Sequence, residues 1–242
     1  MNWTSGDLKI LLPTFAVLIL ITLVLWLILK NKSEKVKNIP LATIAIIILV
    51  MEVWKQIDSF SEGYSLWSIP LHFCSLFLYF FPLATLTTGK VKRFGLVMSY
   101  VCGTFMTIMF CFNPSSIIGD CTFNNVFITF DKFHTFMYHQ LVILFTLLGI
   151  FLGMFKVQKN ELMYVVIGLV AYAIIAVPIA HLINTNFCNI LTSNIGIMET
   201  LRVNAGQVVY TIVLFMFGIG AGISLCLINI GINKLIDKRR KI

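Results

Sequence analysis

The chain has 242 residues, of which 59% are hydrophobic and only 12% charged, and it carries a net charge of +8. A soluble globule of this size must still clothe its surface with polar groups, so the composition excludes a soluble domain and defines an integral membrane protein. The basic excess does not point to nucleic acid, because the Lys and Arg residues form short flanks to apolar runs, where they meet anionic lipid head groups.

A helix rises about 1.5 Å per residue and needs roughly 20 apolar residues to cross the hydrocarbon. In chain order the predicted spans run from Ile10 to Leu29, Ile39 to Ile57, Trp67 to Thr87, Phe94 to Phe112, Phe133 to Phe155, Leu162 to Leu182 and Val208 to Ile232. The first run has its cationic flank after it, the reverse of a cleavable secretory signal, so it is expected to stay attached as a helix. The expected architecture is all-α: one polytopic membrane domain over residues 1–242, built as a seven-transmembrane-helix bundle.

Most of the 18 Lys and Arg residues fall in every second gap between these runs. Lys30, Lys32, Lys35 and Lys37 occupy the first gap, Lys90, Lys92 and Arg93 the third, and Lys156 and Lys159 the fifth. Lys234, Lys238, Arg239, Arg240 and Lys241 form the tail. Positive flanks are retained on the cytoplasmic side during insertion, which predicts an outside N-terminus and a cytoplasmic C-terminus in the cell membrane. The spare chain lies in the outward gaps, from Asn113 to Asn125 and from Ile183 to Gln207. The triplet Asn2-Trp3-Thr4 matches a glycosylation acceptor, but the Lys-rich, Ile-rich and Asn-rich usage looks bacterial, and the match is read as chance.

Pro82 and Pro178 each remove a backbone donor within an apolar run, so a bend or a partner for the freed carbonyl is expected at each. Gly149 with Gly153, and Gly218 with Gly222, make two GxxxG strips suited to close helix packing inside the bundle, with a homo-oligomer interface as the alternative. The 6 cysteines form no CxxC pair. Neither a zinc ribbon nor a redox motif is expected, and Cys102, Cys111 and Cys226 read as small core residues. Cys121 and Cys188 alone fall in outward loops, where an oxidising compartment would permit a disulfide between them.

Ionisable groups inside a span cost several kcal/mol unless paired or hydrated, so their positions point to function. Glu52 and Lys55 lie three residues apart near the outer end of the second span, on one face and able to pair. His72 enters the third span with Cys74 two residues deeper. On a regular helix two residues turn by about 200°, which would separate these two and give His72 the neighbour Ser75. His134 and His139 start the fifth span, where Asp131, Thr135 and His139 follow an i, i+4, i+8 line. The two imidazoles lie about 140° apart round the helix, and the spacing is not HExxH, so no metal and no cofactor is implied. His181 ends the sixth span, followed by Asn184 and Asn186, with Glu199 and Arg202 before the seventh. All 4 histidines thus lie near the outer face, which predicts a shared hydrated pocket there.

At Glu52-Val-Trp-Lys55, at Ile69-Pro70-Leu71-His72-Phe73-Cys74-Ser75, in the Phe133 to His139 stretch and at Asn184-Thr-Asn186, the chain resembles the bacterial YwaF-type integral membrane family. That family is distantly similar to eukaryotic multi-pass proteins implicated in acyl transfer between phospholipids. The resemblance implies a lipid-facing enzyme and carries over Glu52, Lys55, His72, Cys74, Asn113, His134, His139, Asn184 and Asn186. The eukaryotic relatives place Cys and His adjacently, whereas here Phe73 separates them.

Two functional classes follow. As an enzyme, the protein would transfer or hydrolyse an acyl group on a lipid. Cys74 or Ser75 would be the nucleophile, His72, His134 or His139 the base and Glu52 an orienting group, with Lys55 or Asn113 steadying a phosphate or an oxyanion. As a binding or transport protein, the same polar groups would hold a small polar molecule or a lipid head group without any nucleophile beside a base. In either case the expected partners are membrane lipids and not nucleic acid.

Overall fold

A computed structural model describes residues 5–119 and 121–239. The Asn2-Trp3-Thr4 triplet and the tail residues Arg240 and Lys241 lie outside them. Among the described residues the secondary structure is entirely helical. In order the helices are α1 (Ser5–Leu29), α2 (Glu34–Ser61), α3 (Leu76–Leu86), α4 (Gly89–Phe112), α5 (Ser115–Ile118), α6 (Phe130–Phe151), α7 (Leu162–Ile183), α8 (Gly196–Ala205) and α9 (Gln207–Arg239). Six of them, α1, α2, α4, α6, α7 and α9, are long and apolar enough to cross a membrane.

The third predicted span departs from expectation. A continuous helix from Trp67 to Thr87 does not form; only the 11 residues of α3 are α-helical, and they would cover about 16 Å of a hydrocarbon core about 30 Å thick. The reason is local. Pro70 offers no N–H and its ring excludes the α conformation from the residue before it, and Ile69 accordingly sits at φ −57°, ψ 127°. Hydropathy reports where a segment resides, not whether it coils, so the apolar run Trp67–Leu86 reads as one helix when it is not. By contrast Pro82 and Pro178 lie inside α3 and α7, which continue past them.

The chain forms two compact units. The first comprises the residues up to Glu62 together with Phe77–Phe155. Its centre is α6, which packs against α1, α2, α4 and α5. Ile10, Leu11 and Leu18 of α1, Phe110 of α4, Ile118 of α5, and Phe136 and Ile143 of α6 make one buried cluster. The α3 and α4 backbones approach so closely that a β-carbon on Gly95 would lie 2.4 Å from the Ala84 amide nitrogen; separately, one on Gly103 of α4 would lie 2.2 Å from the Thr146 Oγ1 side chain of α6. Phe81 stacks on Phe145 with ring centroids 3.6 Å apart. On the Lys-rich side, Asn38 Nδ2 donates to the Thr85 carbonyl at 2.8 Å and Lys92 pairs with Glu34 at 3.2 Å.

Gly149 and Gly153 do not form a packing strip. Gly153 has φ 71° and lies beyond the end of α6, where the chain turns back and lays the Phe155 ring against Gly149. The pair terminates a helix in the manner of a left-handed C-terminal glycine. Gly218 and Gly222 are helical as expected, and Gly218 of α9 faces Leu169 of α7 within the second unit.

That second unit comprises Gly63–Leu76 and the residues from Lys156 onward. Here α7 and α8 both pack on α9. At the Lys156 end, the Val157 N–H donates to Asn229 Oδ1 at 3.1 Å, and Gln158 and Glu161 cap one another's backbone. At the other end α7 stops at Asn184, which takes the left-handed conformation at φ 51°. Asn186 then holds the loop by accepting from the Leu191 N–H at 2.8 Å while donating to the Thr192 carbonyl at 3.1 Å. Tyr210 O–H closes it onto the Asn189 carbonyl. α8 lies in what the sequence presents as spare loop.

Candidate functional site

The residues expected to act fall into two groups, each within one unit. In the first unit Glu52 is buried near the end of α2, where its Oε1 receives Lys55 Nζ at 2.8 Å and Gln56 Nε2 at 2.7 Å. The pairing expected of Glu52 and Lys55 therefore forms, with Gln56 as an additional donor. Trp54 stacks on Phe130 at 4.9 Å, which ties the last turns of α2 to the start of α6. One turn further along α6, His134 is 6% exposed and its ring meets the Met51 carbonyl of α2, while Nε2 has no hydrogen-bond partner among the described residues. Tyr138 lies between the two imidazoles, 5.5 Å from His134 and 5.8 Å from His139.

His139 is oriented differently from the sequence expectation. Its Nδ1 contacts the Thr135 carbonyl at 2.6 Å, and Asp131 is exposed at the helix start. A carbonyl only accepts, so Nδ1 carries the proton and Nε2 keeps the lone pair. The backbone of its own helix, not a carboxylate, fixes the tautomer. Gln140 is a member of this region that sequence reasoning missed: it is 3% exposed, and neither its Nε2 nor its Oε1 has a partner among the described residues. Asn113 caps the end of α4 and is half-buried, its N–H donating to the Met109 carbonyl at 2.9 Å.

In the second unit the segment between Gly63 and Ser75 is irregular but tightly held. A short 3₁₀ turn at Leu66–Ser68 is capped by Ser65 Oγ. The Leu71 N–H bonds back to Ile69 at 2.7 Å, and the Ser75 N–H to His72 at 2.9 Å, which puts Phe73 and Cys74 at the centre of a β-turn. His72, expected inside a helix, is the first residue of that turn. Its Nε2 meets the Trp67 carbonyl at 3.2 Å, and its ring lies between Trp67 at 4.1 Å and Phe187 at 5.0 Å. The 200° separation argued for His72 and Cys74 on a regular helix does not apply, because Pro70 has removed the helix. Cys74 is half-buried and Ser75 is buried.

Tyr172 of α7 secures this segment, and nothing in the sequence singles it out from other tyrosines in apolar runs. Its hydroxyl reaches the Leu71 carbonyl at 2.5 Å and Cys188 Sγ at 2.8 Å. Cys188 has φ 49°, a left-handed conformation that costs a side-chain-bearing residue about 1–2 kcal/mol, and its Sγ lies 3.7 Å from that same Leu71 carbonyl. Burial pushes the Cys188 thiol up to about 12; the Tyr172 O–H and Phe73 N–H work against that shift and the Cys74 thiol adds to it. Cys121 and Cys188, between which the sequence permits a disulfide, are not bridged in the structure, and Cys121 Sγ donates to the Lys132 carbonyl at 3.6 Å.

Asn184 and Asn186, carried over as binding residues, act in the structure as a helix terminator and a loop clasp. His181 is exposed in the last turn of α7. Glu199 and Arg202 form an ion pair at 2.5 Å, and the guanidinium holds the Glu199 carboxyl down to about 2. No cluster of three or more His, Cys, Asp or Glu side chains suited to a metal ion occurs among the described residues.

Six apolar helices of crossing length and an interior carrying a buried carboxylate, imidazoles and thiols define a multi-pass membrane protein. Over residues 3–227 the chain matches the model of the TMEM164 family, and it belongs to that family. No curated protein and no solved structure matches it.

Proposed function

We propose that this protein is a lipid-modifying enzyme of the cell membrane that transfers or hydrolyses an acyl group, with Cys74 as nucleophile and His72 as its base. The observation that carries this reading is the unwound stretch Ile69–Ser75 at the start of an apolar run. Irregular backbone at membrane depth is tolerated only where protein or a hydrated cavity satisfies it, and such places concentrate function. Here the stretch bears a histidine, a thiol and a hydroxyl in four consecutive positions, and the Tyr172 hydroxyl helps to hold it. The Trp67 carbonyl fixes the proton of His72 on Nε2, which leaves Nδ1 as the basic nitrogen. In the reaction the Cys74 thiol loses its proton to His72 and attacks an ester carbonyl. The alkoxide leaves with the proton, and water or a second alcohol then releases the acyl group from the thioester. The YwaF-type resemblance supports the same reaction class.

The proposal includes the topology that gives this chemistry its side. The run Trp67 to Thr87 is a seventh crossing, made of irregular chain followed by α3. Without it the cluster Lys90, Lys92 and Arg93 would lie opposite Lys30–Lys37, against the retention of positive flanks in the cytoplasm. Seven crossings place the N-terminus outside, the C-terminus in the cytoplasm and His72–Ser75 toward the outer leaflet. A reporter fused at the C-terminus is expected to be cytoplasmic, and an extracytoplasmic reporter overturns the arrangement.

The purified protein in vesicles of a diacyl phospholipid, with and without a lysophospholipid acceptor, is expected to generate new acyl species or free fatty acid by mass spectrometry. His72→Ala and Cys74→Ala should each reduce turnover at least 100-fold, about 2.7 kcal/mol of barrier, while inserting normally. Unchanged turnover in both variants removes these residues from the chemistry.

A second reading rests on the first unit. Among the described residues His134 Nε2 and the Gln140 amide are buried without partners, which costs about 1–3 kcal/mol per group and which a bound polar ligand would offset. On this reading Glu52, Lys55, His134 and His139 hold a lipid head group or a small polar molecule. Saturable binding of lipid that persists in Cys74→Ala but is weakened in His134→Leu favours it.

A further inference from the structure

The second unit holds a thiol beside the proposed nucleophile that the acyl chemistry does not use. Cys188 is half-buried in the loop after α7, yet its side chain turns back onto the Leu71–Ser75 stretch. Three contacts fix its place. The Tyr172 hydroxyl joins Leu71 O and Cys188 Sγ, the Leu71 carbonyl is 3.7 Å from Sγ, and the N–H of Phe73, the residue before Cys74, bonds to the same sulfur. Leu71, which Cys188 Sγ touches, stands three residues before Cys74, and a charge on Cys74 would disfavour one on Cys188. The β-turn closed by the bond from the Ser75 N–H to the His72 carbonyl holds Cys74 in this corner. The left-handed backbone at Cys188 shows that the loop gives up some stability to keep that side chain there.

We infer that Cys74 and Cys188 are a redox pair, which an extracytoplasmic disulfide oxidant closes into an intramolecular disulfide that withdraws the nucleophile. The inference rests on the proposed function for its consequence and for the side of the membrane, and on the contacts of Cys188 with Tyr172 and the Leu71 carbonyl for the bond. The step is two thiol–disulfide exchanges. Half-buried Cys74 attacks the oxidant disulfide RSSR, forming a mixed disulfide and releasing one RSH. Cys188 then attacks Cys74 Sγ, releasing the second RSH. Two thiols of the protein are oxidised and one disulfide of the oxidant is reduced to two thiols. The product is neutral, so the burial that opposes a thiolate at Cys188 does not oppose the disulfide.

The full-length protein in phospholipid vesicles is treated with oxidised glutathione, remaining thiols are blocked with an alkylating agent, and the digest is read by mass spectrometry. The expected result is a peptide pair linked through Cys74 and Cys188, lighter by two hydrogens than the reduced pair and separated by dithiothreitol. Recovery of both cysteines fully alkylated, glutathione retained on Cys74, or a linkage of Cys74 to another cysteine overturns the inference. The lipid assay run in parallel separates it from the enzymatic reading. If the disulfide forms but the reduced protein turns over no lipid, the acyl proposal fails and the thiol pair stands. If the reduced protein is active, oxidation should lower turnover at least tenfold in the wild type. Cys188→Ser should show the same turnover with and without oxidant once dithiothreitol has removed any glutathione adduct. Equal oxidant sensitivity after that step in Cys188→Ser and the wild type rejects the switch.

Discussion

The two units hold their polar groups in different ways. In the first, α4 and α6 are largely buried, and glycine contacts at Gly95 and Gly103 bring helices together at backbone distance. Its functional candidates stand on regular helices, and their directions follow from helical spacing. In the second, α7 and α9 expose most of their surface, and the candidates stand on irregular chain. Side-chain-to-backbone bonds from Tyr172, Asn186, Gln207 and Tyr210 replace the missing packing. Packing resists change in volume, whereas a few directed bonds resist change in chemistry. The two units should therefore fail under different substitutions.

The largest effect is expected from Gly95→Leu, which drives a side chain into the Ala84 backbone. It should cost about 3 kcal/mol and lower the yield of folded protein in detergent, read by size-exclusion recovery and thermal unfolding. Leucine at the exposed Gly231 of α9, where a β-carbon meets nothing within 4 Å, should be nearly neutral in the same assay. If the two cost the same, the contrast between a packed and an open unit is wrong.

Tyr172→Phe keeps the ring and removes one hydroxyl, so it tests the second unit by chemistry alone. It should cost about 1–2 kcal/mol, because it removes the O–H donor from both the Leu71 carbonyl and Cys188 Sγ. Hydrogen exchange should quicken in Leu66–Leu76 and remain unchanged in α6. Equal quickening in both would mean that the irregular stretch is not held by this bond.

The smallest effect is expected at the Glu199–Arg202 pair. The folded carboxyl, at about 2, lies below its ordinary 4.5, so the contribution of the pair is complete above pH 4.5 and declines as pH falls toward 2. Both side chains face solvent and the net gain is small. Amide exchange at Ser193, whose N–H bonds to Glu199 at 2.9 Å, should rise across that window in the wild type beyond the intrinsic rate. In Glu199→Gln the excess should not depend on pH.

Sequence reasoning read long apolar runs well and short-range geometry poorly, for physical reasons. The spans around α1, α2, α4, α6, α7 and α9 were legible because hydrophobic length is a property of the residues themselves. So was the Glu52–Lys55 pair, since a spacing of three on a helix leaves little choice. The break at Pro70 could have been found by giving the rule for residues before proline more weight than the apolar run around it. The end of α6 at Gly153 was hidden because GxxxG describes both a packing strip and a helix terminator, and only the path of the following chain decides. Tyr172 and Cys188 were illegible as partners of the Leu71–Ser75 stretch, because their contacts join residues about a hundred positions apart with no local pattern to announce them. His139 shows the opposite trap, since the sequence offered Asp131 as its partner when a carbonyl one turn away was nearer.

The length of α9 has its own consequence. Its 33 residues extend about 50 Å, some 20 Å more than a typical hydrocarbon slab, with Lys238 and Arg239 in the last turn. A rod with that much surplus can lean to match a thin bilayer or stand upright in a thick one without exposing a charge to lipid tails. At α9, therefore, a change in bilayer thickness can be met by tilt alone.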